Sequence, residues 1–266
     1  MASQKSPSFI ENPKDGYQLL LVPGGKCLLG DPQIEVELPD YYLGKYTVRN
    51  KEYACFLDEV QPDEADQKKW ILLDDNCRVV RAGDGYRVRG EEDKPPAQAG
   101  QGESETSGWA NHPVVQVSWQ GAQAYCEWAE LRLASELEWE KAARGENGRT
   151  YPWGNEWDAA KCRNLQNRGN ERTAIVWAYP EGRSCWGHYQ MIGNLWEWCI
   201  DCYDEDAYRR YAKGDFTPST IGEEKVLRGG AWPFDAPDIF RCAYRHSSHP
   251  SFCHHHFGFR CALGAT

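Results

Sequence analysis

No run in this chain approaches the roughly 20 apolar residues of a membrane-spanning helix. The opening Met1-Ala-Ser-Gln-Lys-Ser-Pro-Ser has no apolar signal core either. A soluble, cytoplasmic protein without a membrane span is expected. Positive charge is also short: 30 Lys and Arg against 40 Asp and Glu leave a net charge of -10 over 266 residues. Phosphate contacts need a basic face, so a nucleic acid is not the expected partner. Methionine is scarce at 2 residues, whereas 12 Trp and 14 Tyr point to cores and surfaces built from aromatic rings. The 11 cysteines are odd in number and follow no signal peptide, so reduced thiols are expected rather than a disulfide framework. Cys199-Ile-Asp-Cys202 has the spacing of a zinc or redox pair but lacks a second pair at ligand spacing.

One absence is local. From Pro233 to Phe257 there is no Lys, Glu, Gln, Met or Trp. None of these five amino acids has a codon ending in a pyrimidine. Phe, Ser, Tyr, Cys, Pro, His, Arg, Ile, Ala and Asp, which fill the stretch, all have one. Randomising the adenines of Asn codons yields such a set. The stretch and its flanks hold five of the seven histidines, namely His246, His249, His254, His255 and His256. Apolar, acidic and imidazole groups alternate there with neither helical nor strand period. Its two ends, Leu227-Arg-Gly-Gly-Ala-Trp232 and Phe257-Gly-Phe-Arg-Cys261, read as turn glycines and β-forming residues.

Along the chain, residues 1–16 are polar and expected to form a flexible arm. Tyr17 to Val22 reads as a buried strand stopped by Pro23-Gly24-Gly25, with Cys27–Gly30 as a hairpin return and Ile34–Leu38 alternating like a half-buried strand. Thr47 is placed to cap a helix whose Tyr53, Phe56, Leu57 and Val60 fall on one face. Residues 61–111 read as a polar insertion, mostly loop, with a short hairpin around Val79-Val80 and Tyr86–Val88. His112–Trp119 reads as extended and Gly121–Ala129 as helical. Ser135-Glu-Leu-Glu138 is a capping box opening a second amphipathic helix, which Gly145 ends. Gly187 to Trp198 suits a tightly packed turn entering a strand.

Several of these blocks, in this order, resemble the formylglycine-generating-enzyme (sulfatase-modifying-factor) family. They are Leu21–Gly25, Lys45–Tyr53, His112–Trp119, Leu131–Gly145, Tyr151–Asn155, Gly193–Trp198, Leu227–Gly230 and Gly258–Cys261. The resemblance spans residues 17–263 apart from the insertion. It implies one α+β domain of C-type-lectin type, with two helices, twisted antiparallel strands and much irregular structure. Catalytic members carry two copper-binding cysteines, five residues apart, just after the Gly-Gly turn, and a soft thiolate pair suits Cu(I). Here no cysteine stands between Gly230 and Cys242, and the stretch is shorter than the enzyme's loop. Cys242 and Cys261 match framework cysteines instead, so no enzymatic activity is expected. The resemblance also implies a structural calcium held by Gln190, Gly193, Leu195 (through its carbonyl) and Glu197, with Gln190 standing where an acidic residue or Asn is usual.

The pyrimidine-codon set between an Arg-Gly-Gly start and a Gly-Phe-Arg end is similar to the variable region of diversity-generating retroelement proteins, which share this lectin fold. Ala231 stands where the typical frame has Ser. Residues 232–257 are therefore expected to form a ligand-binding surface whose partner is a protein. The residues expected to face it are Phe234, Asp235, Asp238, Ile239, Tyr244, His246, Ser247, His249, Ser251, Phe252, His254 and His256. Trp232, Arg241, Arg245 and Arg260 are expected to support it, while Phe240 and Phe257 can equally serve the core. His254–His256 could bind a metal, with His254 and His256 on one strand face. Two other readings remain: a metal-dependent oxidase of the formylglycine-generating kind, and a degenerate structural member of that family.

Overall fold

The computed structural model describes residues 8–90, 108–169 and 172–265. A five-stranded antiparallel sheet runs in the order Phe9–Glu11, Gln18–Val22, Tyr41–Gly44, Cys261–Gly264, Arg132–Leu133. The strand that ends the fold thus lies between an early strand and one from mid-chain. A second sheet runs His246–Ser248, Lys225–Arg228, Trp196–Cys202, Phe257–Phe259, and its last pairing is parallel where antiparallel neighbours alone were expected. The helices are α1 (Asn50–Val60), α2 (Glu64–Trp70), α3 (Trp119–Trp128), α4 (Glu136–Arg144) and the one-turn α5 (Ala207–Tyr211). Three of them run nine residues or more, against the two that the family resemblance implied.

The local signals worked where no distant partner competed. Ser135 Oγ accepts from Glu138 N–H (3.2 Å), the Glu138 carboxylate accepts from Ser135 N–H (2.9 Å), and Gly145 ends α4 at φ 76°. At α1 a distant partner did compete. Val48 pairs as extended backbone with Phe259 (3.0 Å) and Val114 (2.9 Å), so Thr47 is not the cap. The helix begins only after Arg49, whose N–H donates to the Glu52 carboxylate at 2.6 Å.

Two expectations need correction. The flexible arm does not extend to residue 16: Phe9–Glu11 is a strand, and the Asn12 amide donates to Ala129 O at 2.7 Å. The described part of 61–111 is more than a polar insertion made mostly of loop, although its residues 91–107 lie outside the described set. Asp63 caps α2, and the hairpin Val79–Ala82/Gly85–Val88 forms. Ile71, Cys77, Val79, Tyr86 and Val88 are buried in the same core as Phe56 and Leu57. A few apolar residues at alternating positions are enough to turn one side of the hairpin inward, however polar the segment as a whole.

Among the described residues, two apolar clusters fill the interior. One centres on the Tyr53, Phe56, Tyr125 and Phe259 rings, the other on Leu137, Trp139, Met191 and Phe240. Each joins residues from both ends of the chain, Tyr17 with Cys261 in the first and Val22 with Ala262 in the second.

Candidate functional site: a C-terminal face on a charged frame

The route into the 232–257 stretch is set by backbone sterics. Gly229 and Gly230 have φ of 104° and 71°, where a side chain is strained. A Cβ on Gly229 would meet Met191 O at 2.9 Å, and one on Gly230 would meet the Phe240 ring at 2.9 Å. The next residues are tied down: Trp232 N–H donates to Asn194 O (3.1 Å) and its ring is only 5% exposed.

Beneath the stretch lies a buried charge network. Arg228, with its side chain 0% exposed, donates to Glu140 (2.6 Å) and to the Tyr244 carbonyl (2.5 Å). Arg245 makes a two-pronged pair with Glu136 (2.6 and 2.8 Å), and Arg144 holds the other Glu140 oxygen at 2.6 Å. Arg260 pairs bidentately with Glu197 (2.6 and 2.7 Å) and donates to Gly44 O at 2.9 Å. Arg241 is the exception among the expected frame residues. It is about one third exposed and holds Asp31 and Asp238 at the rim.

One member of the network makes a prediction about pH. The Asp201 carboxylate accepts from Glu136 N–H at 2.7 Å, and burial, then the Glu136 charge, push its pKa up to about 7. An acid raised this way keeps its proton in the folded state after the unfolded chain has lost it. Stability is therefore expected to fall as pH rises from about 4 to about 7, and to change no further above that. Asp201→Asn keeps the acceptor and removes the titration. In paired urea unfolding, the variant should gain on the wild type between about pH 5 and pH 8. A gap that does not move with pH would mean that Asp201 is ionised throughout.

None of the twelve expected face residues is buried. Asp235, Asp238, His246, His249, Ser251 and Phe252 are exposed, and the others are half-buried. Ring contacts bring five of them together around Trp196: Tyr244 (5.9 Å), His246 (5.0 Å) and Phe234 (6.2 Å) touch it, and His256 and His254 continue from Phe234. His249, Ser251 and Phe252 form a second group. Asp238 and Ile239 lie along a short 3-10 turn, Pro237–Phe240, preceded by Asp235. Ser247 donates to Glu224 at 2.5 Å. Phe234, Ile239 and Tyr244 also lean on the core, so they belong partly to the support. Phe240 and Phe257 are core residues.

The main chain of the stretch is fastened independently of these side chains. Leu165 N–H donates to Phe234 O (2.8 Å), Trp119 N–H to Pro250 O (3.0 Å), Gln116 N–H to His254 O (3.0 Å) and Trp196 N–H to His256 O (2.9 Å), while Cys242 N–H donates to Thr150 O (2.8 Å).

Partial loss of water around the rings holds the imidazoles of His246, His254 and His255 below their usual range. Burial and the neighbouring histidines push His256 down to about 3. Each shift favours the neutral form of the ring. Beside His255 a cleft of about 340 Å³ is lined by Asn50, Asp75, Arg78, Trp109 and Arg172. Sequence reasoning missed Trp196 and this cleft, because the residues around them come from distant segments of the chain.

In this structure the residues that the resemblance linked to calcium offer that ion few free oxygens. Calcium takes about six to eight oxygen donors. Both Glu197 oxygens are taken by Arg260, and one of them also by the Trp139 indole (2.8 Å). Gln190 turns its amide nitrogen to Ile175 O (2.7 Å), which leaves its oxygen without a partner. Gly193 and Leu195 bring no charge. Thiol chemistry finds no activated group on the face either, since burial pushes Cys242 up to about 12 and Cys253 up to about 11. A reactive cysteine needs the opposite shift.

Residues 5–265 match the sulfatase-modifying factor enzyme 1-like domain. The formylglycine-generating enzyme of Streptomyces coelicolor is 30% identical, covering 99% of this chain and 95% of that protein. The serine/threonine-protein kinase Pkn1 of Chlamydia trachomatis is 32% identical over 92% of this chain, which spans only 38% of the kinase's length. Among solved structures, PvdO from Pseudomonas aeruginosa has a TM-score of 0.71 at 22% identity, covering 98% of this chain and 100% of that one. Treponema denticola variable protein 1 has a TM-score of 0.68 at 17% identity, with the same coverage of 98% and 100%. The fold is thus the α+β, formylglycine-generating-enzyme-like one.

Proposed function

The chain belongs to the sulfatase-modifying factor enzyme 1-like domain family, and within it we propose that this member is a non-catalytic binding protein whose 232–257 face is of the diversity-generating retroelement kind and takes a protein partner. One observation carries the reading. The side chains of the twelve positions stand exposed or half-buried, while the backbone beneath them is held by main-chain hydrogen bonds and the buried arginines. Main-chain bonds do not depend on which residue stands there, so such a loop tolerates arbitrary side chains at its outer positions. Surface substitutions usually cost under about 0.5 kcal/mol. Aromatic groups on such a face give large contact area at low entropic cost. The fold is shared with a Treponema denticola protein that is itself named a variable protein.

The second reading, an oxidase of the formylglycine-generating kind, is favoured by the full-length match to the Streptomyces coelicolor enzyme. It needs a thiolate pair, and no cysteine stands between Gly230 and Cys242.

The test is a randomised library. With Asp235, Asp238, His246, His249, Ser251 and Phe252 varied together, most members are expected to stay folded, and members binding a chosen protein target should be selectable. The same treatment of Arg228, Trp232, Arg245 and Arg260 should leave few folded members. Collapse of the first library would overturn the display reading. Conversion of a sulfatase-type peptide's cysteine, with copper, oxygen and a thiol reductant supplied, would establish the oxidase instead.

A further inference from the structure

His254, His255 and His256 are consecutive, and an extended strand would turn the middle ring to the opposite side from its neighbours. Here the chain turns instead. Phe257 N–H donates to His254 O at 3.1 Å, which closes a tight turn over residues 254–257. The ring centroids come to 3.9 Å (His254 and His256), 4.3 Å (His254 and His255) and 5.0 Å (His255 and His256). One nitrogen from each ring lies within 4.8 Å of the other two. The Nδ1 atoms of both His254 and His256 are shut off from solvent and have no hydrogen-bond partner. An unanswered buried polar atom costs on the order of 1–3 kcal/mol, and a display surface alone gives no reason for two of them side by side. Apolar rings wall the group: Phe257 stands 5.3 Å from His254 and 5.1 Å from His256, and Phe234 is 5.9 Å from His256. Trp232 is 5.4 Å from His255.

We propose that His254, His255 and His256 form a three-nitrogen site for a divalent transition metal of the zinc class, with the fourth coordination position taken by water at the display face. Three imidazoles are borderline donors that suit zinc, nickel or copper(II), and they offer nothing to calcium or magnesium, which require oxygen. Zn–N bonds of about 2.0–2.1 Å place tetrahedral donors about 3.3 Å apart. The nitrogens therefore draw inward by on the order of 1 Å, a movement that side-chain rotation of three half-buried rings supplies. Three protein ligands and one exchangeable position is the count of an open site rather than a closed structural one. The site gives the orphaned nitrogens a partner and places an exchangeable coordination position on the binding face. It needs only these three imidazoles and stands whether or not the loop is diversified.

The test uses the full chain, stripped of metal and titrated with Co²⁺ as a coloured stand-in, then with Zn²⁺ in competition. One equivalent is expected to bind with the visible absorption of tetrahedral cobalt, to be displaced by zinc and to be indifferent to excess Ca²⁺ or Mg²⁺. His254→Ala, His255→Ala and His256→Ala should each weaken binding by roughly tenfold or more, that is, by about 1.4 kcal/mol. Cys55→Ala, an exposed thiol on α1 outside the face, should bind as the wild type does, and thermal melts check that every variant is folded. Affinity weaker than about 1 mM would overturn the site, as would single variants without effect or an equal loss in Cys55→Ala. Failure of the display reading would appear in the library and not in this titration.

Discussion

Arg228→Ala is expected to cost about 3–5 kcal/mol, the usual penalty for removing one partner of a buried ion pair, or to leave no folded protein. Arg228 is fully enclosed between Glu136 (3.7 Å) and Glu140 (2.6 Å), with the Trp139 ring 5.3 Å away. Arg245 and Arg144 would remain on the two glutamates, but each already spends its hydrogen bonds there and on carbonyls. The substitution also frees the Tyr244 carbonyl, which Arg228 holds at 2.5 Å. The face should therefore lose its shape even where the fold survives. Urea midpoints with an unchanged slope would measure the loss. A cost under about 1 kcal/mol, the level of a surface pair, would show that the other two arginines suffice and that Arg228 does not anchor the stretch.

The second large effect concerns Trp232, the first residue of the 232–257 stretch. Trp232→Ala should cost about 3–5 kcal/mol, as truncation of a buried aromatic does. Its ring is 5% exposed and lies 5.1 Å from the Arg168 guanidinium and 5.4 Å from His255. Phe252→Ala is the matched control within the same stretch. Phe252 is 61% exposed, so its truncation should cost less than about 1 kcal/mol. The pair tests where support ends and display begins, because both residues are large aromatics and differ chiefly in burial. If Phe252→Ala unfolds the protein sooner than Trp232→Ala in paired thermal melts, the two roles are assigned the wrong way round.

The sequence by itself determined a good deal. The ordered blocks from Leu21 to Cys261 specify the α+β fold, because each carries its own local instruction, such as the capping box at Ser135 or the turn at Gly229-Gly230. The absence of five amino acids between Pro233 and Phe257 marked the exposed stretch, since side chains that point outward are free of the periodicity that burial imposes. What only the tertiary structure decided depends on residues far apart in the chain. Val48 pairs with Phe259 and delays α1 past Thr47, and the insertion's Val79 and Val88 become core because α1 lies beneath them. Trp196 becomes the floor of the face. Glu197 looked like a calcium ligand until Arg260, 63 residues away, took both its oxygens. The three histidines are adjacent in sequence, yet it is the turn after His254, with the surrounding Phe and Trp rings, that faces them toward one another. Local patterns are written in backbone preference and short-range periodicity. These later contacts arise only when the closed fold brings distant segments within a few ångströms, and no spacing in the sequence records that distance.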